Sequence, residues 1–363
     1  MISTATQVDE VISLTLREQR IRRASAVLVV ALLLALLASV GIGPMPVSLV
    51  DSLSVITAKL GFHASSVSPV VETIITSIRL PRSLLAMLVG AALAICGAAM
   101  QGLFRNPLAD PGLVGVTGGA SLAAVSMIVL GGTSLSVISQ LLGQYSLMFA
   151  SFLGALLTTS LVARIATTKY GTSVTSMLLA GIAIGIVTGA AVGFLTYFAD
   201  DSQLRTLTFW SMGSVGGATW QTLLTAGSFI LVPLILIPLQ AKQLNALLLG
   251  ESEARHLGIE VEKVKRRLIF LTAVAVGACV SVSGMIGFVG LIVPHLVRLT
   301  LGPDHRYLLP LSALLGALFL LVADMISRTI IAPAELPIGL ITTLIGGPFF
   351  IGMVVYRARS NAL

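Results

Sequence analysis

The chain has 363 residues, of which 56% are hydrophobic and only 10% are charged, and its mean hydropathy is +1.01. Soluble domains are about 45–50% apolar and about 25% charged, so this composition excludes a water-soluble protein and indicates an integral membrane protein. The formal net charge of +7 is explained below by the placement of basic residues around a membrane, and it requires no nucleic-acid partner.

Ten apolar runs predict an all-α protein with ten transmembrane helices. Crossing a bilayer takes about 20 apolar residues in a helix, and these runs lack the strict alternation of a membrane β-strand. The second run is the longest, and the eighth is short and contains Pro294. The predicted spans cover residues 24–43, 74–102, 113–131, 146–165, 175–198, 220–240, 267–284, 288–300, 308–328 and 338–356.

The ends of the chain predict a simple domain organisation and an orientation. Residues 1–23 form a polar cytoplasmic segment, residues 24–357 a single ten-helix domain, and residues 358–363 a cytoplasmic tail. The first run has no small-residue cleavage site before Gly41, so we interpret it as a retained span. With both termini in the cytoplasm, 17 of the 22 basic residues lie on that side, as the positive-inside rule requires. The other five are Lys59, Arg79, Arg82, Arg205 and Arg328.

Two arginines flank Pro81 at the outer start of the second span. Arginines at such positions often only extend their charged groups to the lipid headgroups. Because the outer side has few basic residues, Arg79 and Arg82 also suggest a site where a partner's carboxylates are held by bidentate pairing.

A short internal repeat relates the second and seventh spans. Residues 89–91, with the sequence Val-Gly-Ala, and Gly97 recur 187 positions later as residues 276–278 and Gly284. In the predicted topology these two spans run in opposite directions. The repeat therefore favours an inverted duplication, helices 2–5 against helices 7–10, which is typical of transporters.

The turn between the second and third spans, residues 105–112, contains Pro107, Pro111 and Gly112. Such a turn is stiff. Two interpretations stay open: a plain connector, or a constriction of a transport pathway.

A charged segment, residues 241–267, interrupts the apolar sequence and holds 10 of the 37 charged residues. Glu251, Ala254 and Gly258 are spaced for a short helix with an acidic start and a glycine end. We interpret it as a docking element on the cytoplasmic membrane surface. The basic residues near its end are interpreted mainly as an anchor that fixes the orientation in the membrane: Lys263, Lys265, Arg266 and Arg267.

Asp324 lies near the end of an apolar run, where an ionisable residue is costly and can indicate function. Arg328 follows one helical turn later, so the two side chains can neutralise each other. The structural interpretation is favoured for Asp324, while Arg328 is also close enough to the outer surface to meet a partner.

Sequence motifs for catalysis are missing. No lysine follows a glycine, which excludes a Walker A phosphate loop, and neither a His-Glu-x-x-His zinc motif nor a Gly-x-Ser-x-Gly nucleophile motif occurs. Four scattered histidines suggest no metal site, and Cys96 and Cys279 lie in apolar runs as expected of small core residues. The chain is therefore predicted not to be an enzyme, and to bind no metal or cofactor.

Several motifs resemble one family of bacterial permeases. They are Arg-Leu-Pro-Arg at 79–82, Gly-Ala-Ala-Leu at 90–93, Asn-Pro-Leu-Ala at 106–109, Gly-Glu at 250–251, Pro-His at 294–295 and Glu-Leu-Pro-Ile-Gly at 335–339. From about Thr73 to its end, the chain resembles the FecCD-like permeases of ATP-driven importers for iron-siderophores, haem and cobalamin. The likeness to haem permeases is the strongest.

The resemblance implies a homodimer in the bacterial inner membrane, two separate ATPase subunits that bind ATP and Mg²⁺, and a periplasmic binding protein. It implies that Arg79, Arg82 and Arg328 dock the binding protein. A coupling helix at about 244–258 would contact the ATPase through Gly250, Glu251, Ala254, Leu257 and Gly258. Asn106, Leu108, Val174 and Thr175 match positions near the cytoplasmic gates, although Val174 stands where some relatives carry a hydroxyl residue.

Two classes of function follow. The first is an importer permease that moves haem by alternating access, with ferric siderophore or cobalamin as alternative cargo. The second is an ion-coupled secondary transporter, suggested by the inverted repeat and Asp324.

Overall fold

The structure is a computed structural model that describes residues 4–45, 47–59, 61, 67–169 and 171–360. The outermost residues of the predicted terminal segments, 1–3 and 361–363, lie outside this range. Sixteen α-helices occur in the described part of the chain. In chain order they are α1 Thr4–Gly41, α2 Leu49–Lys59, α3 Pro69–Thr73, α4 Leu80–Leu103, α5 Val116–Leu130, α6 Ser136–Leu142, α7 Ser146–Ala166, α8 Val174–Tyr197, α9 Asp201–Met212, α10 Trp220–Leu236, α11 Ala241–Leu249, α12 Glu251–His256, α13 Val261–Ser283, α14 Val289–Leu301, α15 His305–Ser327 and α16 Ile338–Ser360.

Every predicted span corresponds to a helix. Seven helical segments are long and apolar enough to cross a membrane, and three shorter apolar helices, α5, α14 and α16, complete the set of ten. The long second span begins at Pro69 and includes a π-helical turn at Ile74–Arg79 before α4. The short eighth span is α14, which contains Pro294. The all-α membrane fold is therefore confirmed.

Several boundaries differ from the prediction. Helix α1 runs without a break across residue 23, because its polar first half continues the helical hydrogen bonding of the apolar second half. Helix α16 likewise continues through residue 358 to Ser360. The predicted coupling helix at 244–258 is two helices, α11 and α12, which are separated at Gly250. Helices α2, α6 and α9 lie between the predicted spans, where no helix had been predicted.

Helix α4 lies at the centre of the bundle and packs against α15, α14, α13 and α10. Small residues permit these close approaches. A β-carbon on Gly90 would lie 2.2 Å from the carbonyl oxygen of Gly316 in α15, and one on Gly97 would lie 1.9 Å from that of Gly290 in α14. Glycines at such crossings let backbones pack directly, which is a common source of helix association in membranes.

The helix packing has the symmetry that an inverted repeat predicts. If α4, α5, α7 and α8 correspond to α13, α14, α15 and α16, the contact of α4 with α15 corresponds to that of α13 with α7. The contacts α5 with α7 and α14 with α15 form a second such pair. The repeat noticed at residues 89–97 and 276–284 thus agrees with the packing of whole helices.

Helix α4 also defines the two ends of the bundle. Its 24 residues span about 36 Å at about 1.5 Å per residue. Arg82 lies in its first turn, and Arg105 follows its last turn and lies beside Gly250. We call the end at Arg82 the arginine end. We call the end at Gly250, where the charged segment 241–267 forms an island in the apolar sequence, the island end.

Candidate docking and coupling sites at the two ends of the bundle

At the arginine end, a buried cluster of charges joins three segments of the chain. Arg82 contacts Asp324 of α15 through Nε and Nη2, each at 2.9 Å, and its Nη1 donates to both carboxylate oxygens of Glu335 at 2.9 Å. Arg328 Nη2 lies 3.2 Å from Asp324 Oδ2. The predicted Asp324–Arg328 pair is confirmed, and Arg82 and Glu335 bring the cluster to two positive and two negative groups.

Arg79 has a different environment at the same end. Its guanidinium donates to the carbonyl oxygens of Val40 and Gly41, each at 2.7 Å, and to that of Met45. These carbonyls lie at and beyond the end of α1, where helical carbonyls lack partners within the helix. Arg79 therefore holds the end of the first span against the π-helical turn that precedes α4.

The three arginines predicted to dock a partner are thus engaged within the chain. Their exposed fractions are 3% for Arg79, 6% for Arg82 and 2% for Arg328. A partner's carboxylate would have to displace an internal acceptor to reach Arg82. The most accessible member of the cluster is Glu335, whose side chain is 38% exposed.

At the island end, Gly250 makes the break between α11 and α12. Its backbone angles, φ +125° and ψ 154°, lie in a region that essentially only glycine occupies. Gly258, with φ +80°, follows the end of α12 and fits the predicted glycine terminus. The two glycines therefore frame a short helix that is separate from α11.

The predicted coupling residues divide by exposure. Ala254 is fully buried against the protein's own core, so it supports α12 from beneath. Leu257 and Gly258 are exposed, while Glu251 and Gly250 are partly buried. Glu253 and His256, which had not been predicted as coupling residues, are also exposed. A partner would therefore meet the outer side of α12 and the turn after it, with Leu257 as the exposed apolar side chain.

Lys265 connects α12 to the segment that precedes α8. Its buried ammonium donates to the carbonyl oxygen of Thr172 at 2.6 Å, to Glu251 at 2.8 Å and to Glu262 at 3.3 Å. Glu262 in turn accepts from the backbone N–H of Thr172 at 2.8 Å. We call these four residues the Lys265 cluster.

The cluster corrects the sequence interpretation, which treated Lys265 as part of a basic anchor in the membrane surface. Val261, Lys265 and Leu268 are all buried and lie on one face of α13 at helical spacing. That spacing was the available signal, because a lysine on the apolar face of a helix must find internal acceptors.

The predicted gate residues lie at the same end, Asn106 and Leu108 in a connecting turn and the other two at the start of α8. Asn106 Oδ1 accepts from the N–H of Leu108 at 2.9 Å, and Asp110 Oδ1 accepts from that of Gly112 at 2.7 Å, so the turn is fixed by its own side chains. Leu108 is exposed. Burial raises the pKa of Asp110, and the Gly112 hydrogen bond only partly offsets this.

Val174 and Thr175 begin α8, whose N-cap is Ser173. They directly follow the hairpin of β1 Thr167–Thr168 and β2 Gly171–Thr172. Because Thr172 belongs to the Lys265 cluster, one lysine ties the first turn of α12 to the start of the predicted gate helix. Neither the resemblance nor the residue pattern had indicated this link.

Hydrogen bonds between α11 and the start of α15 also stabilise the island end. Asn245 of α11 donates to Asp304 at 2.6 Å and accepts from the backbone N–H of His305, the first residue of α15. Burial alone would raise the pKa of Asp304, but hydrogen bonds from Arg306 N–H and Asn245, and the charges of Arg306 and Arg17, lower it overall. Helix α11 is therefore fixed to the bundle.

Known proteins resemble this chain over most of its length. Residues 30–357 match the model of the FecCD transport family. The hemin transport system permease protein HmuU of Yersinia pestis is 51% identical over 79% of this chain and 84% of its own. The vitamin B12 import system permease protein BtuC of Vibrio cholerae is 46% identical over 80% of this chain and 85% of its own.

A solved structure extends the likeness to three dimensions. It shows an inward-facing conformation of a metal-chelate type ABC transporter, is 34% identical, and superposes with a TM-score of 0.77 over 91% of this chain and 97% of its own. The chain belongs to the FecCD transport family and is the transmembrane permease of an ABC importer.

Proposed function

We propose that the chain forms, as a homodimer in the bacterial inner membrane, the pathway through which an ABC importer moves haem into the cytoplasm. The observation that carries the choice of cargo is the 51% identity to a hemin permease, against 46% to a vitamin B12 permease. Ferric siderophore and cobalamin remain the alternative cargoes. An ion-coupled secondary transporter has less support, because the named relatives are permeases of a hemin transport system and of a vitamin B12 import system.

The test is uptake into proteoliposomes that contain this permease with its ATPase subunits and periplasmic binding protein. ATP-dependent uptake of haem, with no uptake of cobalamin or ferric siderophore, is expected. Uptake of cobalamin in place of haem would contradict the cargo but keep the importer. Flux of cargo through the permease alone, driven by an ion gradient, would contradict the importer itself.

We propose that α12 and the turn after it contact the ATPase on the cytoplasmic side. The exposed Glu253, His256 and Leu257 would form the contact. The buried Ala254 would set the distance of α12 from the core of the bundle. The Lys265 cluster supports a transmission route, since movement of Glu251 would pull on Thr172 and so on Val174 and Thr175 at the start of α8. Such helix shifts are a common form of switching between states.

The binding protein is proposed to dock at the arginine end. Because Arg79, Arg82 and Arg328 are buried, their reversal to glutamate would disturb the fold as well as docking. The variant Glu335→Gln separates these roles, since it keeps the side-chain size but removes the negative charge that competes with a partner's carboxylate for Arg82 Nη1. We expect tighter, more salt-sensitive binding of the binding protein to Glu335→Gln. Unchanged or weaker binding would remove Arg82 from the docking site.

A further inference from the structure

A groove of about 490 Å³ lies between α7 and α13 near the island end. One end of the groove carries the guanidinium-bearing side chains of Arg164 and Arg266. The inner part is apolar and includes Leu156, Phe270 and Ala273. Arg164 is in the last turn of α7, and Arg266 is in the second turn of α13. From these arginines, Leu156 and Ala273 lie about 10–12 Å deeper along their helices, at about 1.5 Å per residue.

Three observations indicate that the groove binds a ligand with a negative head and an apolar tail. Within the described part of the chain, the side chains of Arg164 and Arg266 form no hydrogen bond or ion pair, and both are exposed. The hydroxyl of Thr159, a residue that is 2% exposed and lines the groove, has no hydrogen-bond partner among those residues. The nearest carboxylate along the helix, Glu262, is already engaged by Lys265 and Thr172.

The surroundings identify the source of such a ligand. On the same helix as Arg164, the side chains of Leu157, Leu161 and Ile165 are exposed, as expected of a helix face against lipid tails. A second copy of this chain fits less well, because an isologous contact centred here would bring four unpaired arginines together. The two positive charges and the depth of the groove instead match a phospholipid, whose phosphate would meet the arginines and whose acyl chain would fill the apolar part.

We propose that this groove is a binding site for an anionic phospholipid. The two arginines would bind the headgroup phosphate. The Thr159 hydroxyl is buried, and a rotation of its side chain into the groove would let it donate to an ester oxygen of the glycerol backbone. The groove is also lined by Thr167 and Thr172 of the β1–β2 hairpin, and Thr172 belongs to the Lys265 cluster. A bound lipid would therefore stabilise the hairpin that leads into α8.

The test is native mass spectrometry of the full-length chain released from nanodiscs with equal amounts of phosphatidylglycerol and phosphatidylcholine. The wild type is expected to retain phosphatidylglycerol in preference. Each basic residue near a membrane surface contributes about 1 kcal/mol toward anionic lipid, so the double variant Arg164→Gln/Arg266→Gln should lower the preference by about 2 kcal/mol, or about 30-fold. The matched control Arg267→Gln/Arg306→Gln removes two exposed charges outside the groove and should retain the preference.

Two further variants test the site without changing its charge. Ala163→Phe places a ring in the groove and should also abolish retention, while Thr159→Val should weaken it. Equal retention of the two lipids by the wild type, or equal loss in the control double variant, would overturn the proposal. A change from dimer to monomer in Arg164→Gln/Arg266→Gln, with lipid retention intact, would overturn it in favour of an interface between copies.

Discussion

Replacement of Lys265 by methionine tests the link between α12 and the gate helix. Methionine keeps the length and the apolar stem of the side chain but removes all three hydrogen bonds of the ammonium, to Thr172, Glu251 and Glu262. In the variant, the carboxylates of Glu251 and Glu262 and the carbonyl oxygen of Thr172 lose the ammonium group that joins them.

The expected cost follows from the burial of these groups. Removing one partner of a buried ion pair costs about 3–5 kcal/mol. The carboxylates of Glu251 and Glu262 are 31% and 36% exposed, so water can partly replace the lysine. We therefore expect the lower end of that range, about 3 kcal/mol of unfolding free energy.

Lys263→Met is the matched control. Lys263 lies two residues earlier on the same helix, is 61% exposed and pairs with the exposed Glu260. Exposed pairs contribute about 0.2–1 kcal/mol, so the control should unfold almost as the wild type does.

Two measurements are needed. Unfolding of the purified permease by denaturing detergent gives the free-energy difference. Haem uptake per ATP hydrolysed, in proteoliposomes with the partner subunits, gives the coupling, which should fall in Lys265→Met and stay unchanged in Lys263→Met. If the two variants unfold within about 0.5 kcal/mol of each other, a difference within the range of an exposed pair, the Lys265 cluster does not stabilise the island end.

Three further predictions each concern one residue. Asp324→Asn leaves Arg82 and Arg328 with one carboxylate, and should cost about 3–5 kcal/mol in the same unfolding assay, whereas a neutral result would show that the cluster is hydrated. Gly250→Ala forces a β-carbon into a backbone region that costs about 1–3 kcal/mol, and should lower both stability and coupling, while Gly185→Ala, with open space around it, should have neither effect. Because the pKa of Asp304 is lowered in the fold, its ionised form stabilises the protein above the ordinary aspartate pKa, and this contribution is lost as pH falls through the folded-state value. The melting temperatures of wild type and Asp304→Asn should therefore differ at pH 7 and converge in acid. A difference that does not change with pH would contradict the stabilising role of the ionised Asp304 carboxylate.

The sequence determined the number and positions of the membrane spans and the location of the charged segment. These properties depend on local hydropathy, because each apolar run must satisfy its backbone within its own helix wherever it packs. The ten spans, the short α14 and the glycine that ends α12 are of this kind. The family could also be recognised from short motifs, such as those at 79–82 and 106–109.

Tertiary structure alone decided which charged side chains are accessible. Arg82 lies 242 residues from Asp324 and 253 from Glu335 along the chain, and only the packing of α4 against α15 and the segment after it brings them together. The same holds for Lys265, whose acceptor Thr172 is 93 residues away. Hydropathy assigns each basic residue to an end of a span, but its exposure depends on acceptors from distant segments. For this reason Arg82, Arg328 and Lys265, which were expected at the surface, are buried in charge clusters. Arg79 is buried against backbone carbonyl oxygens.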